Sequence, residues 1–173
     1  NLEEIIKDKM HILLTRQLED CSDLIVRFTK LGHMVSHLPL LNIEKVSYNY
    51  KQLGDCKGII FTSANAIKFL DLEYIDKSIK CFCVGSATEK KAKGVGFQNI
   101  ISAEGNVRNL KELILQNFSP GDGNLIYISG EIISSDLDNQ LIIEGYSLKR
   151  IINYKTHHNQ EYLDSFSKQL KLN

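Results

Sequence analysis

Bulk charge is the first thing this sequence lacks. Lys plus Arg and Asp plus Glu stand at 21 each over 173 residues, and no long block of like charge interrupts the balance. Nucleic-acid binding driven by a strong basic field is therefore disfavoured, and an anionic ligand would have to be held by local donors. Long apolar runs are missing as well. The longest have about four residues, as within LIYIS and CFCV, against the roughly 20 that a membrane helix needs, so no membrane partner is expected. The opening NLEEIIKDKMHILLTR starts acidic and has neither a long apolar h-region nor a small-residue cleavage site. It is expected not to be a signal peptide. Met10, directly before a strand-like run, is a candidate alternative start, which would make the first nine residues an appendage.

Several chemical signatures are also missing. No G-x-G-x-x-G follows the first strand-like run and no G-x-x-x-x-G-K-[ST] occurs, so dinucleotide and P-loop binding lose their main support. No G-x-S-x-G elbow marks an α/β-hydrolase. No acidic cluster follows the first strand, which weakens a response-regulator or flavodoxin-like receiver reading. The four cysteines, Cys21, Cys56, Cys81 and Cys83, are too sparse for a disulfide framework, and no His/Cys cluster has zinc spacing. They read as buried structural thiols, with Cys81 and Cys83 on one face of a strand. No metal is expected, and a reducing cytoplasm suits the thiols. His157-His158 is the one adjacent histidine pair and reads as exposed linker residues.

What is present is the composition of a globular protein, 43% hydrophobic and 24% charged. Short apolar runs alternate with helical patterns, which argues for α/β units and a mainly parallel sheet. HILLT reads as a strand, followed by Asp20 or Ser22 as N-cap of a helix whose apolar residues are Leu24, Ile25, Phe28 and Leu31, with Gly32 as its stop. HMVSHLPLL is the next strand, ending around Pro39. KGIIF is a strand, and Ala66 to Ile75 a helix through Ile67, Phe69, Leu70 and Tyr74. CFCV is a strand, Ala87 to Val95 a short helix with Gly96 after it, and FQNII a strand. Asn106 caps a helix with Val107, Leu110, Leu113, Ile114 and Phe118 on its apolar face. SPGDGN is a turn and the clearest break in the chain. LIYIS is a strand, Ser134 or Ser135 caps a helix through Leu137, Leu141 and Ile142, and YSLKRIINYKT is the last strand. The tail EYLDSFSKQLKLN presents Tyr162, Leu163, Phe166 and Leu170 as one helix face.

Two echoes run through this layout. ILLTR with its helix and following strand parallels IYISG, and IIFTSANAIKFL parallels CFCVGSATEKKA. The strand ends carry hydroxyls: Thr15, Thr62-Ser63, Ser86 and Thr88 after Gly85, and Ser129-Gly130. In a parallel sheet the carboxyl ends of the strands share one edge, where ligands bind. Helix N-termini on that edge offer free N–H groups to carboxylates or phosphates. Each hydroxyl can equally do no more than cap its own helix.

The succession ILLTR…LGHMVSHLPLL, KGIIFTSANAIKFL, CFCVGSATEKKAKGVGF, LIYISGE and IINYKT resembles the uroporphyrinogen-III synthase family, from about Met10 to Thr156. FTSANA and VGSAT are its strongest pieces, with LTR and NYKT in support. The resemblance implies an α/β fold with two domains, flavodoxin-like parallel sheets flanked by helices, and a discontinuous first domain. Here the first domain would comprise 1–39 and 157–173 and be only partial, while 40–156 would form a complete second domain. Family members continue well beyond this point, so a C-terminally shortened chain is expected, with an open sheet edge that invites self-association although the family is monomeric.

The resemblance further implies a cofactor-free, cytoplasmic enzyme that closes linear hydroxymethylbilane to uroporphyrinogen III, losing water and inverting the last pyrrole ring. Its active site would lie in the cleft between the domains. Tyr154 in NYKT matches the tyrosine proposed to help the hydroxyl leave as water, or is a connector-strand aromatic that packs on the domain. Thr15, Arg16, Thr62, Ser63, Ala64, Gly85, Ser86, Thr88, Ser129 and Gly130 would line the site for a polycarboxylate tetrapyrrole. The alternative is a non-catalytic anion- or tetrapyrrole-binding α/β module.

Overall fold

The structure, a computed structural model, describes residues 9–170. It is mixed α/β and divides into two compact units, Asn1–Ile43 with Thr156–Asn173, and Glu44–Lys155. The sequence reading places the corresponding boundaries after residues 39 and 156.

The smaller unit holds β1 (His11–Leu14), α1 (Leu18–Lys30), β2 (Met34–His37) and α6 (Gln160–Leu170). β1 and β2 pair in parallel, His11 opposite Met34 through Leu14 opposite His37. Helix α1 starts earlier than Asp20 or Ser22 would place it. Gln17 occupies the N-cap without a side-chain cap bond, and its amide instead donates to the Leu41 carbonyl. Leu24, Ile25 and Phe28 are half-buried, whereas Leu31, expected on the same face, is the exposed C-cap. Gly32 follows at φ 84, and its N–H closes onto the Thr29 carbonyl at 3.0 Å, the left-handed stop that glycine favours. The side chains of Asp20, Phe166 and Leu170, named as cap and helix-face residues on the sequence, lie outside the described residues.

The six-stranded sheet has the order β3-β8-β7-β4-β5-β6, made of β3 (Leu41–Lys45), β4 (Cys56–Phe61), β5 (Lys80–Val84), β6 (Asn99–Ala103), β7 (Asn124–Gly130) and β8 (Leu148–His158). From β8 to β6 all neighbours are parallel. Strand β3 was not anticipated: LNIEK is only half-buried at best, so it lacks the apolar run that marks the others.

Strands β4, β5 and β7 read as nearly continuous apolar runs because both faces of the sheet are covered. One face packs Ile59, Phe61, Cys81, Cys83, Ile126, Ile128 and Ile151 against α2 (Ala64–Lys68) and α3 (Ser86–Gly94). The other packs Ile60, Phe82, Leu125 and Tyr127 against α4 (Val107–Asn117) and α5 (Leu137–Ile143). Each fully buried Ile, Leu or Phe here contributes about 1.5–3 kcal/mol. All four cysteines are buried and free. Burial pushes the Cys56 thiol up to about 11 and raises Cys81 and Cys83 as well. His157 and His158 are exposed at the end of β8.

Two helix expectations and the placing of one turn change. The run Ala66 to Ile75 is not one helix: α2 ends at Lys68 and a separate 3-10 turn spans Leu72–Tyr74. The Leu70 N–H closes α2 on the Ile67 carbonyl at 3.2 Å, and the Asp71 N–H then donates to the Tyr48 hydroxyl at 2.8 Å rather than to the carbonyl four residues back. Helix α5 is preceded by Asp136 rather than capped by Ser134 or Ser135. SPGDGN lies inside the larger unit, where a 3-10 turn at Pro120–Asp122 carries reciprocal Ser119 and Asp122 capping. Asn106 does cap α4, its side-chain oxygen accepting from Arg108 N and Asn109 N.

Candidate functional site

The chain runs β4, β5, β6 to one side of the sheet and then returns to place β7 on the other side of β4. The helices change face at the same step, from α2 and α3 to α4 and α5. The carboxyl ends of β4 and β7 thus flank the topological switch point, the place where open α/β sheets bind ligands.

At the end of β4 the two hydroxyls divide their work. Ser63 is extended at φ −150 and its oxygen accepts the Asn65 N–H, capping α2, whose first residue is Ala64. Thr62, half-buried, shares a 2.9 Å hydrogen bond with the Tyr127 hydroxyl. Burial raises the Tyr127 phenol above its ordinary range, while the Thr62 bond and the nearby Arg150 charge pull the other way. Thr62 therefore joins β4 to β7 across the switch point instead of standing free.

At the end of β5, Gly85 is the N-cap residue at φ 82 and supplies no side chain. Its N–H donates to the Ala103 carbonyl at 3.1 Å. Ser86 opens α3 and is exposed. Thr88 departs from its expected role: it is 4% exposed and shares the inward face of α3 with Ala92, so the helix rotation turns it into the packing and away from the edge.

At the end of β7, Ser129 is likewise an interior group. It is 1% exposed; its hydroxyl donates to the Gly130 carbonyl at 3.0 Å and accepts from Arg150 Nε at 2.8 Å. Gly130 lies in register with Tyr154 of β8. A Cβ on Gly130 would stand 2.8 Å from two Tyr154 ring carbons and 3.1 Å from the phenol oxygen, so the ring lies across the bare glycine. Tyr154 is half-buried and packs against the α2–α3 core. Both readings of Tyr154 thus survive in one residue: it packs, and its hydroxyl sits beside the carboxyl end of β7.

Thr15 and Arg16 belong to the smaller unit. Both are exposed just after β1; the Thr15 carbonyl accepts the Leu40 N–H and the Arg16 carbonyl accepts His37 Nε2–H at 2.8 Å. Within the larger unit, the switch point brings together Thr62, Ser63, Ala64, Gly130 and Tyr154, with Gly85 and Ser86 at the next strand end. Among the described residues no group of three or more His, Cys, Asp or Glu could hold a metal ion, and no helix is long and apolar enough to cross a membrane.

Three further residues belong to this edge that the sequence reading does not single out. Tyr127 looks like any core aromatic, and Arg150 like a solvent-facing strand residue. Asn153 had one available signal, an amide inside an otherwise good strand, where Asn is depleted.

Against known proteins, the chain matches the family model described as uroporphyrinogen-III synthase HemD over residues 22–173. A search of curated proteins found no match. Among solved structures, a mutant uroporphyrinogen III synthase from the extremely thermophilic bacterium Thermus thermophilus is similar at 16% identity and a TM-score of 0.59, over 88% of this chain and 65% of that one. Uroporphyrinogen-III synthetase from Helicobacter pylori is similar at 14% identity and a TM-score of 0.56, over 88% and 63%. The chain therefore spans somewhat less than two thirds of these two proteins, and at such identities the likeness concerns the fold.

Proposed function

The chain belongs to the uroporphyrinogen-III synthase family, and on that premise we propose that it closes linear hydroxymethylbilane to uroporphyrinogen III, with loss of water and inversion of the last pyrrole ring. The observation that carries this reading is the family match over residues 22–173. The candidate edge supports it chemically. In this reading the Tyr154 phenol donates a hydrogen bond to the departing hydroxyl, while the electron-rich pyrrole drives it out. Donors of the Thr62–Ala64 and Gly85–Ser86 turns receive substrate carboxylates, which suits a chain without net positive charge. Thr15 and Arg16, exposed after β1, are further substrate contacts in this reading, Arg16 as a partner for a substrate carboxylate. The reaction needs no cofactor in this reading and runs in the cytoplasm on a small-molecule tetrapyrrole.

A coupled assay tests it: the full-length protein is given freshly generated hydroxymethylbilane and the two uroporphyrinogen isomers are separated. Isomer III in excess of the isomer I that forms spontaneously is expected. Isomer I alone from folded protein overturns the reading. One observation favours a second reading, a non-catalytic tetrapyrrole-binding module: Thr62 and Ser129 both spend their hydroxyls on internal partners. Ligand binding with isomer I as the sole product would select it.

A further inference from the structure

We propose that Asn153 is a positioning residue for Tyr154; the inference rests on the role given to Tyr154 above. Regular alternation along β8 would not put Tyr154 where it is. Leu148 packs with the α4–α5 layer, and Arg150 lies in register with Tyr127 of that same layer. Ile151 packs on the α2–α3 side. With a period of two, residue 154 would return to the side of Leu148 and Arg150. Tyr154 instead packs with Ile151 against the α2–α3 core.

The change of side occurs at one step. Ser129 pairs with Ile152 and Gly130 with Tyr154, so Asn153 is the extra residue of a bulge. Bulges re-aim side chains and gather next to functional sites. Asn153 is also what anchors this bulge. It is fully buried, and its Nδ2–H donates to the Ala66 carbonyl of α2 at 2.7 Å. Its carbonyl accepts the Val46 N–H at 2.9 Å. Its Oδ1 has no hydrogen-bond partner. A buried amide with one end unsatisfied costs stability, so packing alone would favour an apolar residue here. The bond to α2 is what the amide adds, and α2 is the helix that Ser63 caps at the switch point.

The far side of the seat is fixed independently. Arg150 Nη2 donates to the Gly130 and Glu131 carbonyls at 2.8 and 2.9 Å, and the Glu131 N–H donates to the Tyr154 carbonyl at 2.9 Å. The phenol is thereby held between two points. The bare Cα of Gly130 lies beneath the ring, and the Asn153 bond ties its strand to the α2 turn.

Tyrosine labelled with 13C in the ring reads the seat directly, with Tyr154→Phe assigning the Tyr154 signal. Asn153→Ala should move that signal and leave those of the stacked Tyr50–Tyr74 pair in place. Gly130→Ala, which keeps Asn153 and displaces the ring by contact, should move the same signal. In the full-length protein both variants should lower kcat about ten- to a hundredfold, as a misplaced group does, with KM held within about twofold. An unmoved Tyr154 signal in folded Asn153→Ala overturns the inference. Should that variant not fold, Asn153→Ser, too short to reach the Ala66 carbonyl, is judged by the same criterion. A moved ring with unchanged kcat upholds the positioning and instead overturns the role given to Tyr154 in the reaction.

Discussion

The turns after β4 and β5 share the dipeptide Ser-Ala at the start of a helix, yet they are built differently. Ile59 faces Cys81 and Phe61 faces Cys83 across the two strands, so Ser63 and Gly85 occupy equivalent places, each the N-cap of its helix. The shared serine is out of step by one position. Ser63 precedes α2 and caps it, whereas Ser86 is already inside α3 and cannot cap. The difference continues outward. The residue before the cap is Thr62 in one turn, bonded to Tyr127 across the switch point, and Val84 in the other, beside β6. A repeated motif therefore repeats the backbone unit but not the site, because only one copy adjoins the strand where the chain reverses its direction across the sheet.

The largest expected contrast lies just inside the turns. Phe61 is fully buried and meets Phe97 edge-on with ring centroids 5.6 Å apart, so Phe61→Ala should cost about 3–5 kcal/mol. Cys83, its counterpart in β5, is equally buried, but Cys83→Ala removes a single sulfur and should cost about 1 kcal/mol. Urea unfolding of the two variants measures the gap. Equal losses would mean that the two strand ends carry the same weight in the core.

Much of this framework was legible because local chemistry specifies it. KGIIF, CFCV and LIYIS are apolar enough for strands buried on both faces, and Asn106 announces α4 through a bond made within three residues. What escaped was set by distant partners. Past the early end of α2 the Asp71 N–H goes to the distant Tyr48 hydroxyl instead of continuing the expected helix, and half-exposed β3 has no apolar run to betray it. At the site, hydroxyls at strand ends could be picked out, but which of them face inward depends on how each helix is rotated and on which face of its strand each residue falls. Thr88 and Ser129 turned out to be interior. The Asn153 bulge shows only when the register of β8 against β7 is known, which no local pattern encodes.

A substitution that makes the two turns more alike gives the next largest effect. Gly85→Ser puts a favoured N-cap residue where Ser63 stands in the sister turn, and nothing lies within 4 Å of a Cβ there. Helix-capping rules by themselves would forecast a gain. Gly85, however, has φ 82 and ψ 151, a conformation that costs an L-residue about 1–3 kcal/mol, against φ −150 at Ser63. The expected outcome is a net loss, read as a lower thermal midpoint. A rise would show that the β5 turn relaxes to the β4 geometry and that the two are interchangeable.

The smallest contrast isolates the one-position offset itself. Ser63→Ala removes the acceptor of the Asn65 N–H and should cost about 1 kcal/mol, as lost N-caps do. Ser86→Ala changes an exposed first-turn residue of α3 and should stay within about 0.5 kcal/mol. Both are serine-to-alanine changes followed by alanine, so the chemical change is the same and the difference reports chiefly the cap. Chemical denaturation of the pair, with Ser63→Thr restoring most of the loss, makes the measurement. Equal costs would mean that Ser86 caps its helix in solution, with α3 beginning one residue later and its N-terminus matching that of α2.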